Sequence, residues 1–400
     1  MKSLLRLLRP GLSLAVVWLA TSCVTQSFPP GEPCVADGFT VIDDFAAARR
    51  GTCTVQSNDQ VVVDIRPESA GRINPSPWYA FKIPPHGADR AHVTLRYTNG
   101  KHRYPPKISS DGLAWQVLDE EFVSVGNDGM TADITVSLDD EPVWVAAEEI
   151  VPPKFYEAWG TKIARETGFS QQLLGHSLRG LDIHMFDTNP DLREVLLLTG
   201  RQHPPEVSGA AAFFEFAETI LADTPLAMEF RERFRIIAIP MLNPDGVVAG
   251  NWRHNLAHTD LNRDWGPFEQ PETKLISNLL DGLDTEGSCI RVFIDFHSTK
   301  ENVFYTQHDA TDPPGFTDAW LTAAAPHIED YAFRNHNEPP KQLLAAKNYM
   351  YERYGIPSVT YEVGDETDRE AVRKAARVFA TELMRQMLEL APPATSSYAQ

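Results

Sequence analysis

Three runs in this chain are apolar without alternation: REVLLLTG (193–200), FRIIAIPML (234–242) and RVFIDFHS (291–298). A strand with one wet face alternates apolar and polar side chains. A continuous run needs both faces covered, as in a parallel sheet between layers of helix. Segments of helical periodicity lie among and after these runs: VSGAAAFFEFAETILAD, PETKLISNLLDGL with Pro271 near its start, TDAWLTAAAPHIEDYAF and KNYMYERYG. A fourth strand, IPSVTYEVG, and an amphipathic helix, DREAVRKAARVFATELMRQMLEL, close the pattern. Strands alternating with helices predict an α/β domain over residues 153–391, with a mixed, largely parallel sheet covered by helices on both faces.

Residues 58–152 have another texture. QVVVDIRP, WYAFKIP, AHVTLRYT, FVSVG, ADITVSL and VWVAAEE are short, rich in β-branched and aromatic residues, and separated by Gly, Pro, Asn or Asp. They predict a small antiparallel β-sandwich ahead of the α/β domain. Residues 23–57 are polar and proline-containing and read as a tether, and residues 392–400 read as a frayed tail.

Lys2, Arg6 and Arg9 precede an apolar stretch too short to span a bilayer, then Ala20, Thr21, Ser22 and Cys23. This pattern predicts a secretory signal over residues 1–22. Its end resembles a lipobox, which would make Cys23 a lipidated first residue. Ala20 replaces the usual Leu there, and plain cleavage stays open. Val24 is not the aspartate associated with inner-membrane retention, so the expectation is a periplasmic protein anchored to the outer membrane. No later run is long and apolar enough for a membrane helix. In that oxidising compartment Cys34 and Cys53 are a candidate disulfide, left open by sequence, and Cys289 reads as a buried small hydrophobe. The net charge of −19 argues against nucleic acid as a partner, because phosphate contacts need a basic face.

Functional groups gather at strand ends, where open α/β sheets form their sites. His203 and Glu206 follow VLLLT, Asn243, Asp245 and Gly246 follow IIAIPML, His297 ends VFIDFH and Glu362 ends SVTYE. Two histidines and a carboxylate suit catalytic zinc, which leaves a position for water. HPPE alone has a plainer reading, a helix opened by Pro204 and Pro205 with an acid in its first turn. Likewise, Arg253, Asn262 and Arg263 in NWRHNLAHTDLNRDW (251–265) alone read as a charged surface loop.

HPPE, NPDG, WRHN, DLNRDW, FHS and TYEVG, in this order within residues 175–364, resemble the zinc carboxypeptidase family. The earlier segment NPSPWYAFKI … YPPKISSDGLAW is similar to the β-sandwich of its cytosolic-carboxypeptidase-like branch. GHSLRGLDIH (175–184) resembles the strand pair before the first zinc strand. The resemblance implies one zinc ion per chain, held by His203, Glu206 and His297, with Asp260 orienting the first histidine. It implies Glu362 as general base, Arg253 as oxyanion stabiliser, and Asn262 with Arg263 as the grip on a terminal carboxylate. Lys347 falls where the family's specificity residue lies and would favour an acidic terminal side chain; an exposed helical lysine is the alternative. The family's mobile-loop tyrosine is replaced by Pro340, and none of Tyr331, Tyr349 and Tyr351 is assigned its role.

The expected activity is therefore zinc-dependent removal of the last residue of a peptide, with acidic C-termini or peptidoglycan-derived stem peptides as substrates. The alternative is a zinc deacylase of N-acyl amino acids similar to succinylglutamate desuccinylase and aspartoacylase, which share H-x-x-E, D-L-N-R and a late histidine after an acid. The sandwich and WRHN favour the peptidase. A binding module with a dead site is disfavoured by the complete set of ligands, base and arginines.

Overall fold

The computed structural model describes residues 31–69, 74–169, 171–307, 311–338 and 344–392. The signal segment with Cys23, Pro340 and tail residues 393–400 lie outside the described residues.

The N-terminal part is a two-sheet sandwich. One sheet orders strands Cys53–Ser57, Gln60–Ile65, Arg90–Tyr97, Thr131–Ser137 and Val123–Val125; the other orders Ala80–Ile83, Val143–Ala146, Lys107–Ser109 and Gln116–Val117. Along Arg90–Tyr97 the side chains of Ala91, Val93, Leu95 and Tyr97 are buried and those between are not, the period-two pattern of a strand with one core face. One pair departs from the antiparallel expectation: Gln60–Ile65 and Arg90–Tyr97 run parallel. Parallel neighbours need a crossover, and this one passes through strand Ala80–Ile83 of the opposite sheet.

The expected tether over 23–57 is corrected for its described part. Cys34–Val35 and Thr40–Val41 pair, Cys53–Ser57 is an edge strand of the sandwich, and Phe39, Val41 and Ala47 are buried in its core. Cys34 and Cys53 are bonded. A few apolar side chains among polar ones, stapled by a disulfide, attach a segment that lacks strand periodicity.

The second part is the α/β domain. Its strands are β1 (Gln171–His176), β2 (Asp182–Asp187), β3 (Glu194–Gly200), β4 (Phe234–Ile239), β5 (Cys289–Thr299), β6 (Val303–Gln307), β7 (Arg334–Glu338) and β8 (Ser358–Gly364). The helices are α1 (Pro153–Thr167), α2 (Val207–Leu221), α3 (Pro225–Arg233), α4 (Pro244–Val248), α5 (Pro271–Thr285), α6 (Phe316–Ala324), α7 (Ala346–Tyr354) and α8 (Arg369–Leu388). The sheet order is β1-β2-β4-β3-β5-β8-β6-β7. The middle strands β4, β3, β5 and β8 are mutually parallel; β1, β2 and β6 join antiparallel.

The continuous apolar runs are explained by two cores. Leu196 and Leu198 of β3 face α2 and α8, whereas Val195 and Leu197 face α5 and α7. In β5, Val292, Ile294 and Phe296 take the first side and Phe293 the second. The expected helix over TDAWLTAAAPHIEDYAF is shorter: α6 stops at Ala324 and Ala325–His327 forms a 3-10 turn around Pro326, which has no N–H to continue the ladder. Helix α3 lay outside the sequence expectation; Thr224 caps it by accepting the Ala227 N–H, and Pro225 opens it.

Charged side chains join the two parts. Arg103 of the sandwich pairs with Asp365 after β8, and Lys107 pairs with Glu148 and Glu366. Arg369 at the start of α8 bonds both Glu148 and Glu149. Among the described residues no helix is long and apolar enough to cross a membrane. Cys289 is a half-buried free thiol.

The disulfide closes a sequence separation of 19. Loop-closure entropy then gives about 3 kcal/mol of stabilisation to the sandwich. Reduction, or Cys34→Ala with Cys53→Ala, is expected to lower the urea midpoint of the transition that exposes Trp78 and Trp115; an unchanged midpoint would show that the bond adds nothing to stability.

Candidate metal centre and active site

The site begins where β3 ends. Arg201 has a φ of 53°, the left-handed region that a non-glycine residue occupies only when its surroundings hold it there. Those surroundings are explicit. Its buried guanidinium donates from Nε to the Pro204 carbonyl at 2.8 Å and from Nη1 to Tyr156 Oη at 2.8 Å. From beyond β4, Asn243 donates its side-chain amide to the Gln202 carbonyl at 3.0 Å. The corner His203–Glu206 is thus fixed from both sides.

The two prolines are not the first turn of a helix. They form a turn, and α2 begins only at Val207 with Glu206 at its cap position. The Glu206 carboxylate makes no cap bond; it is used across the cleft. α2 is pressed against the end of β5, where Ser298 Oγ accepts both the Ser208 hydroxyl and the Gly209 N–H at 2.8 Å. A Cβ on Gly209 would lie 2.3 Å from the His297 carbonyl oxygen, so only glycine permits this approach.

Glu206 consequently reaches both histidines. Its Oε1 lies 2.7 Å from His203 Nδ1 and its Oε2 lies 2.8 Å from His297 Nδ1. One ligand atom from each of the three residues falls within 4.8 Å of the others. The opposite ring nitrogens are occupied: His203 Nε2 by Asp260 at 3.0 Å and His297 Nε2 by Asp295 at 2.6 Å. Two imidazoles, each backed by a carboxylate, and one shared carboxylate are the donor set and support that hold zinc. The residues therefore fit the ion, among the described residues the one such cluster.

The electrostatics agree. Burial opposes charge on His203 and His297, yet the carboxylates beside them raise both. Burial alone would raise Glu206 and Asp260, but the histidines hold both well below the usual carboxylate range, with Arg253 adding to the effect at Asp260. Glu362 is different. Burial pushes its carboxyl up to about 7, and the negative charge of Glu206 adds to this against the two histidines. Its Oε2 has no hydrogen-bond partner. In the sheet, Glu362 stands directly beside His297.

Asp260 is a hub. Its Oδ1 accepts the Asn262 N–H at 2.9 Å besides meeting His203, and its Oδ2 accepts Arg253 Nε at 2.7 Å. Arg253, Asn262, Arg263 and Glu362 line one cavity with His203 and Glu206. Asn262 is nearly buried, and its side-chain oxygen accepts the Ala346 N–H at 2.8 Å. Lys347 does not line that cavity. It is buried, which corrects the exposed-helix alternative, and donates to the Thr306 carbonyl at 3.3 Å. Tyr331 is committed to Tyr361 at 2.9 Å, and Tyr349 accepts from Arg353 at 2.6 Å.

Several contributors lay outside the sequence expectation. Asp295 sits two residues before His297, on the same face of β5, and that spacing was a usable signal. It also accepts Thr199 Oγ1 at 2.7 Å and Gln202 Nε2 at 2.6 Å, joining the two strand ends. Arg103 and Tyr104 enter the cavity from the sandwich, and nothing local marks them. His254, in the run that alone reads as a charged surface loop, is buried against Ser69 and Asn74.

Residues 157–395 match the zinc carboxypeptidase family. Curated relatives include cytosolic carboxypeptidase 2 of Danio rerio, 40% identical over 117 residues, and cytosolic carboxypeptidase 4 of Homo sapiens, 39% identical over 117 residues. Each alignment covers 28% of this chain, and 16% and 10% of those relatives respectively. Among solved structures, a metallo-carboxypeptidase from Burkholderia cenocepacia has the same fold, with a TM-score of 0.75 and 18% identity over 88% of this chain and 100% of that one. A metallo-carboxypeptidase from Pseudomonas aeruginosa gives a TM-score of 0.71 and 18% identity over 87% and 99%. With the His203, Glu206 and His297 corner falling inside a match that spans more than half of its length, the chain belongs to the zinc carboxypeptidase family.

Proposed function

We propose that this protein removes the C-terminal residue of peptides by hydrolysis, using one zinc ion per chain held by His203, Glu206 and His297. The observation that carries the proposal is one cavity, lined by two of those ligands together with Glu362, Arg253, Asn262 and Arg263. Zinc bound there supplies an acidified water and polarises the scissile carbonyl. Glu362, with a carboxyl raised to about 7 and an unpartnered oxygen, is suited to take the proton of the attacking water and return it to the leaving amine. Arg253 is tied to Asp260 through Nε, which leaves the two terminal nitrogens of its fork for the developing oxyanion. Arg263 is exposed at the cavity and, with Asn262, offers donors to the terminal carboxylate.

Acidic peptides and peptidoglycan-derived stem peptides are the proposed substrates, and Lys347, buried outside that cavity's lining, is proposed to favour an acidic terminus through its charge and not by direct contact. The signal-like start and the Cys34–Cys53 bond support an exported, periplasmic protein, anchored through lipid on Cys23. The family match supports a peptidase over the deacylase alternative.

Substrate class is tested by mass spectrometry against a peptide library varied at the last residue, with muropeptides and N-acyl amino acids alongside. Release of single C-terminal residues is expected. Cleavage of N-acyl amino acids alone would overturn the proposal. Retention of the acidic preference in Lys347→Ala would remove that residue from selection.

The roles separate by mutation. Glu362→Gln is expected to lower kcat by roughly 10²- to 10⁴-fold while zinc stays bound by elemental analysis; persistence of turnover would place the base elsewhere. His203→Ala is expected to lose the zinc, and a full complement of metal in that variant would end the ligand assignment.

A further inference from the structure

The loop that carries Arg253 is held from the other domain. Each of residues 251–254 has a bond to the sandwich. Arg49 Nη1 donates to Asn251 Oδ1 at 3.2 Å, and Trp252 Nε1 donates to Tyr104 Oη at 3.1 Å. Glu68 Oε1 accepts the backbone N–H of Arg253 at 2.8 Å and that of His254 at 3.0 Å. Ser69 Oγ lies 3.2 Å from His254 Nδ1, and Asn74 Nδ2 lies 3.3 Å from the same nitrogen.

Glu68 differs from the other anchors. Its side chain is 2% exposed, and one carboxylate oxygen receives two consecutive backbone amides, an arrangement that fixes the peptide plane between them as well as its distance. Such charge-assisted bonds are stronger than neutral ones. Burial opposes the charge, yet contacts with His254 and these amides hold the carboxyl at about 2, so it is ionised across the working range. The opposite end of the arginine is fixed as well, since Asp260 accepts its Nε. Arg253 is therefore pinned at both ends: its backbone by the sandwich, its guanidinium by the acid that also orients His203. The position of its free nitrogens relative to the metal corner is then set by how the two domains dock.

We propose that Glu68 is a positioning residue for Arg253, and that the sandwich is thereby part of the catalytic machinery. The inference rests on the oxyanion role proposed above for Arg253. A group that must sit within hydrogen-bond reach of an oxyanion loses its effect when its backbone is free to shift, and removal of one such donor costs roughly 10²- to 10³-fold in kcat. Glu68→Ala removes the acceptor of two part-buried backbone amides and frees the loop. Glu68→Gln keeps an oxygen at the same place and is the conservative rescue.

The test is made on the full-length, zinc-loaded protein with Glu68→Ala and Glu68→Gln, each also in an Arg253→Ala background. Amide hydrogen exchange of the 250–256 segment is measured together with kcat, KM, zinc content and melting temperature. In Glu68→Ala, exchange at Arg253 and His254 is expected to accelerate at least ~10-fold, and kcat to fall by about 10- to 100-fold, with KM and zinc content little changed. Glu68→Gln is expected to restore both, and Glu68→Ala is expected to add no further loss once Arg253 is alanine. Equal losses of kcat with and without Arg253 would show a general structural role and overturn the proposal, as would unchanged exchange at the two amides. Should the wild type hydrolyse no peptide, the activity reading fails by itself, and the exchange data still decide whether Glu68 holds the loop.

Discussion

One carboxylate shared between two imidazoles organises this molecule. Glu206 reaches His203 within its own corner and His297 from the neighbouring strand, and the second contact requires α2 to lie against the end of β5. That contact in turn requires glycine at 209, a left-handed Arg201, and a parallel β3–β5 pair that brings both strand ends to one edge. The charges are mutually dependent. The histidines stabilise the Glu206 anion, and Asp260 and Asp295 turn the rings so that the remaining nitrogens converge. Among the described residues, and apart from Arg253 at Asp260, the protein compensates this buried charge only among the cluster's own members. With a dication, the convergence of one carboxylate and two ring nitrogens has a direct electrostatic purpose.

Glu362 gains its properties from the same arrangement. It shares the buried strand edge with His297, yet its Oε2 has no hydrogen-bond partner. A carboxyl left partly unsatisfied in a buried site is costly as structure. It is useful if a water or substrate proton is its partner during turnover. The sandwich supplies the facing parts of the cavity through Arg103 and Tyr104, and backs the Arg253 loop through Glu68. Arg103–Asp365 and the cluster of Lys107, Glu148, Glu149, Glu366 and Arg369 link the two domains through charged groups. The cavity is thus lined by both, although only one contains the metal corner.

What the sequence disclosed, and what it hid, divide along the range of the interaction. Continuous apolar runs marked β3, β4 and β5 because both faces of each are covered, a fact written in every residue of the strand. The ends of β3 and β5, with the end of the separately read strand β8, then located His203, Glu206, His297 and Glu362. Asp260 and the arginines needed the family resemblance, because a charged loop has no period of its own. The parallel pairing inside the sandwich was not legible, since register depends on partners elsewhere in the chain. The same holds for Glu68, which meets Arg253 across 185 positions. Residues 34–57 were misjudged for a related reason: their place in the core depends on Phe39, Val41 and one disulfide, too sparse a pattern for periodicity to register.

The role proposed for His203, Glu206 and His297 together is to hold one zinc ion. X-ray absorption at the zinc edge of the purified protein addresses it directly. One zinc per chain is expected, with two imidazole nitrogens at roughly 2.0–2.1 Å and the rest of the shell oxygen. A sulfur ligand, or a shell with fewer than two imidazoles, would contradict it.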